Sequence, residues 1–319
     1  MNLEKIDFLF GNEKRFFSFI NNINKDDKIA LIAHNDLDGV SSAKITNQIL
    51  NTKILKFLSY ENLNKKLINE LKKLKVNKVV FVDLDITDME FIKNIEKFAD
   101  ILIIDHHLSN FDFNSKQTIL MNAQGYCACY LSYYLSSNIK NLDKLDWLVA
   151  CASIADWQFF KNQRFLKQIY KKYGDKFIGT EQGIKKGKFW DLQYKISLAI
   201  IYFRDNLRKI YDSIGNGFGD IKKLERYIKQ VQIEVDNSIK EFKENKEYIK
   251  DGYFFEINSK FHVKEIVVNK LSFQYQDKTL IISERKGKNL AITARRQDKK
   301  LNMADLMKGL TKDFKNSNA

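Results

Sequence analysis

Eight residues in three short clusters carry side chains suited to holding divalent cations: His34, Asp36 and Asp38 in HNDLDG, Asp83 and Asp85 in VDLD, and Asp105, His106 and His107 in DHH. Alternate positions of an extended segment point the same way, so His34, Asp36 and Asp38 can converge on one small volume. Two carboxylates this close repel unless a cation lies between them. Imidazole with carboxylate suits a borderline-hard divalent ion such as manganese. Taken alone, the same stretch also fits a polar strand end followed by a helix cap, where Asp and Ser need no metal to explain them. A calcium loop shares Asp-x-Asp-Gly but needs a bidentate Glu six residues after the glycine, and Ile45 stands there.

The elements around these clusters place them. After an entry helix expected over residues 3–22, the apolar runs KIALIAH, KILKFL, NKVVFVD and ILIID alternate with helical patterns over 40–50, 62–74 and 88–98. Near-continuous apolar strands alternating with helices predict an α/β fold, a mostly parallel, doubly wound sheet covered on both faces. Ligands in such sheets bind beyond the carboxyl ends of the strands. Three of the four strands end in the three clusters, and three of the chain's four histidines lie there. The fourth, His262, has no acidic cluster around it and is expected at the surface or in packing. A further strand, TILMN, leads into helices containing LSYYLSS and LDWLVACASIADW; Asp156 closes the second, either as a surface acid or as one more ligand.

At 319 residues the chain has room for two domains. Its 54 Lys+Arg against 40 Asp+Glu leave a net charge of +14, which favours a polyanionic partner, nucleic acid or polyphosphate first, although Lys, Asn and Ile are abundant throughout. The three cysteines, Cys127, Cys129 and Cys151, show neither Cys-x-x-Cys spacing nor a secretory signal, so they read as buried thiols in a reducing cytoplasm. No apolar run reaches the ~18 residues of a membrane span, so a soluble, cytoplasmic protein with no membrane partner is expected.

HNDLDG, VDLD, DHH and ASIAD, in this order, resemble motifs I to IV of the DHH phosphoesterase superfamily, across roughly the first half of the chain. Motif I in the form His-x-Asp-x-Asp-Gly-x-x-Ser-Ala, His34 to Ala43, is similar to the RecJ-like nuclease branch. The resemblance implies two Mn2+ or Mg2+ ions. His34 and Asp36 would hold the first, Asp38, His106 and Asp156 the second, and Asp83 would bridge both. Asp105 would orient the histidine pair and His107 would face the substrate phosphate. Residue chemistry leaves Asp85 open as a partner in the bridging role.

The second half is expected to be a linker and a small domain. Residues 161–188, with Trp190 just beyond, mix Lys and Arg with aromatics, which fits either a stacking and phosphate track for single strands or an ordinary solvated helix pair. Gly215-Asn216-Gly217-Phe218-Gly219 reads as a hinge. Leu224, Ile228, Val231, Val235, Ile239 and Phe242 then recur at helical spacing, one long helix able to bridge two domains. The expected boundaries are a catalytic domain over 1–215, hinge and linker helix over 216–250, and a small α+β domain over 251–319. In the last, YFFEI, EIVVNKL, TLIISER and LAITARR read as strands, followed by a helix near 303–310. This part resembles the start of the DHHA1 substrate-binding domain, with Ser283, Arg285 and Arg295 as the phosphate-binding candidates. That domain normally closes with a Gly-Gly-Gly-His loop, and the chain reaches Asn318-Ala319 before one.

Together these features imply a Mn2+-dependent phosphodiesterase that trims single-stranded DNA or RNA from an end. Hydrolysis of short oligonucleotides, cyclic dinucleotides or phosphoanhydrides on the same core is the alternative. A non-catalytic replication scaffold is the alternative of another class. The resemblance extends to replication or repair proteins as partners.

Overall fold

The computed structural model describes residues 3–215, 217–287 and 289–311, which fall into two compact units, the first running to Leu224 and the second starting at Glu225. Asn216, in the expected hinge, and the C-terminal residues 312–319 lie outside the described residues.

The first unit begins with α1 (Glu13–Asn21), β1 (Ile29–His34), α2 (Leu37–Leu50), β2 (Ile54–Leu58), α3 (Lys65–Lys73), β3 (Lys78–Val82), α4 (Met89–Glu96), β4 (Asp100–Asp105) and β5 (Thr118–Asn122). The five strands are all parallel, in the order β2-β1-β3-β4-β5. Ala30, Ile32, Val79, Phe81, Ile101 and Ile103 face one side, packed against Leu71 of α3 and Ile92 and Ile95 of α4. The alternate residues Leu31, Ala33, Val80, Val82, Leu102 and Ile104 are equally buried on the other face. Both faces being covered is why the strands read as apolar runs instead of alternating. In this strand order the connections leave β1 and β3 toward opposite faces, which opens a crevice at their carboxyl ends.

The rest of the unit is helical: α5 (Ala128–Ser137), α6 (Asp146–Ala155), α7 (Gln163–Lys172), α8 (Lys188–Tyr202) and α9 (Arg208–Ser213). Helix α2 lies among them, and Val40, Ser41, Ser42, Ala43, Ile45 and Thr46 are buried around its whole circumference. Cys127, Cys129 and Cys151 are free and buried, as the absence of a pairing pattern implies. The entry helix is shorter than its apolar spacing suggests. It starts at Glu13, capped by the Asn12 side chain, because the preceding segment is extended and bridges Phe10 to Asn122 at the sheet edge.

The second unit comprises α10 (Glu225–Asn245), β6 (Glu247–Ile249), β7 (Gly252–Ile257), α11 (Lys264–Gln274), β8 (Thr279–Lys286), β9 (Asn289–Arg295) and α12 (Met303–Thr311). Its sheet has the order β6-β7-β8-β9. EIVVNKL, expected as a strand, is helix α11. The β-branched residues favour a strand locally, but β7 and β8 pair in parallel, and parallel neighbours need a crossover connection. Val263, Val267 and Leu271, one turn apart, are fully buried against this sheet. The apolar stripe of α10 is used within the unit, where the Phe242 ring meets Tyr253, Phe255 and Tyr275. Among the described residues no helix is long and apolar enough to cross a membrane.

Candidate metal centre and active site

The crevice between β1 and β3 gathers the sequence clusters. His34 is the last residue of β1, and the chain then turns directly into α2, which Asp36 caps by accepting from the Gly39 amide at 2.9 Å. The turn is tight. A Cβ on Gly39 would lie 2.3 Å from the His34 carbonyl oxygen, so only glycine lets the helix start this close to the strand. Asp83 follows β3 in the left-handed region, φ 59°, a backbone state that costs a non-glycine residue of order 1–3 kcal/mol and concentrates at functional sites. His106 and His107 follow Asp105 at the end of β4. Asp156 caps the carboxyl end of α6.

Distances tie these residues into one network. His34 Nδ1 lies 2.9 Å from Asp36 and 3.7 Å from Asp83. His106 Nε2 lies 3.3 Å from both Asp83 and Asp156 and 3.8 Å from Asp38. Three trios have ligand atoms within 4.8 Å of one another: His34, Asp36 and Asp83; Asp38, His106 and Asp156; and Asp83, His106 and His107. Asp83 thus joins the first trio to the histidine pair, and Asp85 belongs to none of the three. Asp38 is held by the start of α5, where the Ala128 and Cys129 amides donate to its two oxygens at 2.7 and 2.8 Å. These are N–H groups that a helix leaves unpaired at its first turn, and the terminus also favours negative charge.

Electrostatics show how costly this assembly is without a cation. Burial, and then the Asp83 charge, push the Asp38 carboxyl well above the usual range; burial and the Asp36 charge do the same to Asp83. Asp156 rises to about 7, from burial and then Asp38. Burial opposes protonation of His34, yet the Asp36 hydrogen bond and the nearby Asp83 carboxylate outweigh it and lift the imidazole to about 10. Asp83 Oδ2 and Asp156 Oδ2 are buried without a hydrogen-bond partner. Orphaned carboxylate oxygens, converging acids and imidazoles at the right separation fit divalent cations held through oxygen and nitrogen.

His107 is differently placed. Its Nδ1 donates to Asp105 at 2.8 Å and its backbone amide donates to the other Asp105 oxygen at 3.1 Å, which fixes the ring. The opposite ring nitrogen, Nε2, lies 3.2 Å from the Tyr60 hydroxyl. Burial lowers the His107 basicity most, but the Asp105 hydrogen bond and the charges of Asp105, Asp83 and Asp85 together outweigh it and lift the imidazole to about 9. Tyr60 is a site residue that the sequence does not announce. Its ring stacks on His34 at 4.5 Å and meets His107 edge-on. It sits in a single 3-10 turn after β2, with no motif to mark it.

The substrate-side candidates of the second unit are not brought together. Ser283 and Arg285 lie toward one end of the β8–β9 pair and Arg295 at the other, since Arg285 pairs with Leu290 and Arg295 with Leu280. That register also puts the two arginines on opposite faces of the sheet. Ser283 is fully buried, Arg285 reaches Glu256 at 3.4 Å, and Arg295 is engaged by Asn269 and Glu265 on α11. Arg285 lines a cleft of about 650 Å³ with His262, Asn258, Ser259 and Glu284. His262, half-exposed, lies 3.2 Å from Glu284.

Residues 28–155 match the family described as DHH family, N-terminal domain. Residues 28–155 are thus a DHH-family N-terminal domain. No curated protein sequence matches it. Among solved structures it is similar to a DHH-domain member of the s1p family of ribosomal proteins, at 17% identity and TM-score 0.64, covering 98% of this chain and 87% of the other. It is similar to exonuclease RecJ bound to manganese, at 12% identity and TM-score 0.64, over 93% of this chain and 84% of the other. It is also similar to PggH, a pGpG-specific phosphodiesterase from Vibrio cholerae, at 11% identity and TM-score 0.53, over 88% of each chain. At these identities the likeness is one of fold. The similar structures include a manganese-bound exonuclease and a pGpG-specific phosphodiesterase, and this chain brings together acidic and imidazole groups that could hold a metal ion.

Proposed function

We propose that the protein is a Mn2+-dependent phosphodiesterase that removes nucleotides from an end of single-stranded DNA or RNA. The observation that carries this reading is the donor set, in which Asp83 lies between two groups of candidate ligands and buried carboxylate oxygens of both Asp83 and Asp156 make no hydrogen bond. His34 and Asp36 would hold one ion, Asp38, His106 and Asp156 a second, with Asp83 shared. Two such ions supply Lewis acidity at phosphorus and a water nucleophile near neutral pH. The α5 amides hold Asp38 in place and favour its charged form against the burial that opposes it, and Asp105 holds His107 so that Nε2 is turned away from it. From there His107 donates a hydrogen bond to a phosphate oxygen, or a proton to the departing ester oxygen. Single-stranded nucleic acid agrees with the net charge of +14.

The alternative substrate class is a short oligonucleotide or dinucleotide, supported by the fold shared with the pGpG-specific enzyme. A scaffold without chemistry is disfavoured because crowded buried acids are costly to keep without a cation to hold. The test is hydrolysis of single-stranded DNA, RNA, a linear dinucleotide and pyrophosphate, with and without Mn2+ and with Asp83→Ala as the control. Mn2+-dependent release of mononucleotides from the long strands, lost in the control, is expected. Cleavage of the dinucleotide alone would move the assignment to the short substrate, and no cleavage of any substrate would refute it.

A further inference from the structure

Trp157 follows the ligand candidate Asp156 directly, so its Cα lies about 3.8 Å from that of Asp156. It occupies an unusual position. Helix α6 ends with the Trp157 amide bonded to the Ile154 carbonyl and the Gln158 amide bonded to the Ser153 carbonyl, and Trp157 takes φ 57°. This is the helix stop in which glycine is the usual occupant, because a side chain there is strained. The chain instead keeps its largest ring. A residue held in a costly backbone state beside the chemistry points to use of its side chain.

The surroundings suit a base next to a phosphate. Trp157 is half-buried, edge-on to the Trp190 ring at 6.2 Å and next to Phe159 at 6.0 Å, with the exposed Phe160 beyond. The ammonium of Lys185 sits 5.3 Å from the Trp157 ring centre. An aromatic face flanked by a cation is how proteins grip a single strand without reading its sequence, the base stacking on the ring and the lysine meeting the phosphate.

We infer that Trp157 is the stacking platform for the nucleobase adjoining the scissile phosphate, with Lys185 exchanging the ring for that nucleotide's phosphate. The inference rests on the nucleic-acid reading above and makes the substrate a base-bearing strand of either sugar, selected by stacking.

The test uses the full chain with Mn2+ and a phosphorothioate-linked oligothymidylate of about ten nucleotides, a length within single-strand site sizes, intact or abasic at its terminal nucleotide at each end in turn. Trp157→Ala should weaken binding of the intact strand about tenfold, the scale of one lost stacking contact, and Trp157→Phe by much less. The abasic strand at the engaged end should bind the wild type about tenfold more weakly, and Trp157→Ala should be indifferent to the missing base. An intact-strand affinity unchanged in Trp157→Ala, or an abasic penalty that persists in it, would overturn the inference. A second measurement does not depend on that variant folding. In Trp190→Phe the remaining indoles are Trp157 and the fully buried Trp147. The intact strand should quench its fluorescence more than the abasic one, and equal quenching would overturn the inference. A protein that hydrolyses strands but shows no base dependence loses only this proposal; one that hydrolyses nothing loses the function on which it rests.

Discussion

Gly39→Ala tests whether the geometry of the turn from β1 into α2 sets the metal centre. The added Cβ would stand 2.3 Å from the His34 carbonyl oxygen, 2.7 Å from its carbon and 2.8 Å from its Cα, all backbone atoms. Strand β1 is held between β2 and β3 and cannot retreat, so the start of α2 must. Ordinary contact begins near 3.4 Å, so the helix start has to move by about 1 Å. Asp36 and Asp38 move with it, while His34 and Asp83 stay with the sheet. Active-site groups tolerate about 0.5 Å, and a displacement near 1 Å costs roughly 10²-fold in rate. Overpacking should also remove about 1–3 kcal/mol of stability. The expected variant is folded by circular dichroism, melts several degrees lower, binds Mn2+ at least tenfold more weakly by calorimetry and loses roughly 10²-fold in hydrolysis of a chromogenic phosphodiester. Affinity and turnover both within threefold of wild type would show that the site does not depend on this close approach.

Three further outcomes follow from the geometry. His106→Ala and His107→Ala should separate: His106 lies 3.3 Å from two carboxylates, so its loss should lower bound metal by elemental analysis, whereas His107→Ala should keep the metal and lose ~10²-fold in rate. Equal metal loss in both would remove the division of roles. Tyr60→Phe keeps the ring on His34 but removes the hydroxyl beside His107 Nε2, so Mn2+ affinity should hold while kcat falls ~3- to 10-fold, the scale of one neutral hydrogen bond; an unchanged kcat would show that the hydroxyl contributes nothing. Finally, His34 lifted to about 10 and Asp156 to about 7 carry protons that a cation must expel, so apparent Mn2+ affinity should climb at least tenfold per pH unit between 6 and 7 and less steeply above. The same groups give the stability sign. With both folded values above the unfolded ones, the metal-free protein loses stability as pH rises from about 4 through 7 for Asp156 and from about 6.5 through 10 for His34. The melting-temperature gain on adding Mn2+ should therefore grow from pH 6 to 8, and a pH-independent gain would contradict the proton competition.

The sheet and its chemistry were readable in the sequence for one reason: strands buried on both faces leave uninterrupted apolar runs, and the polar residues that stop those runs are the site. His34, Asp83 and Asp105 each close or follow such a run. Asp156 ends a helix instead, and only its place as the last residue of ASIAD distinguished it from a surface acid. Tyr60 was silent because a lone tyrosine in a short turn has no period, and Trp157 because its meaning lies in a backbone angle. Helix α11 was misread because Val267 and Val268 favour a strand locally, and the parallel pairing of β7 with β8 overrides that preference.

The same physics explains why the fold is shared among proteins with different substrates. The cost of the centre is set inside the sheet, where Asp38, Asp83 and Asp156 crowd one another and a bound cation relieves all three at once. Nothing in that balance refers to what lies beyond the phosphate. On the readings proposed above, substrate length and base would be felt outside the carboxylates, at Tyr60 after β2 and Trp157 after α6, which lie in loops whose sequence the sheet does not constrain. A chain of this fold can therefore change its substrate by changing its rim while the carboxylates stay as they are. If the stacking role proposed for Trp157 holds, the choice between a long strand and a dinucleotide would rest with Tyr60 and Trp157, not with Asp83.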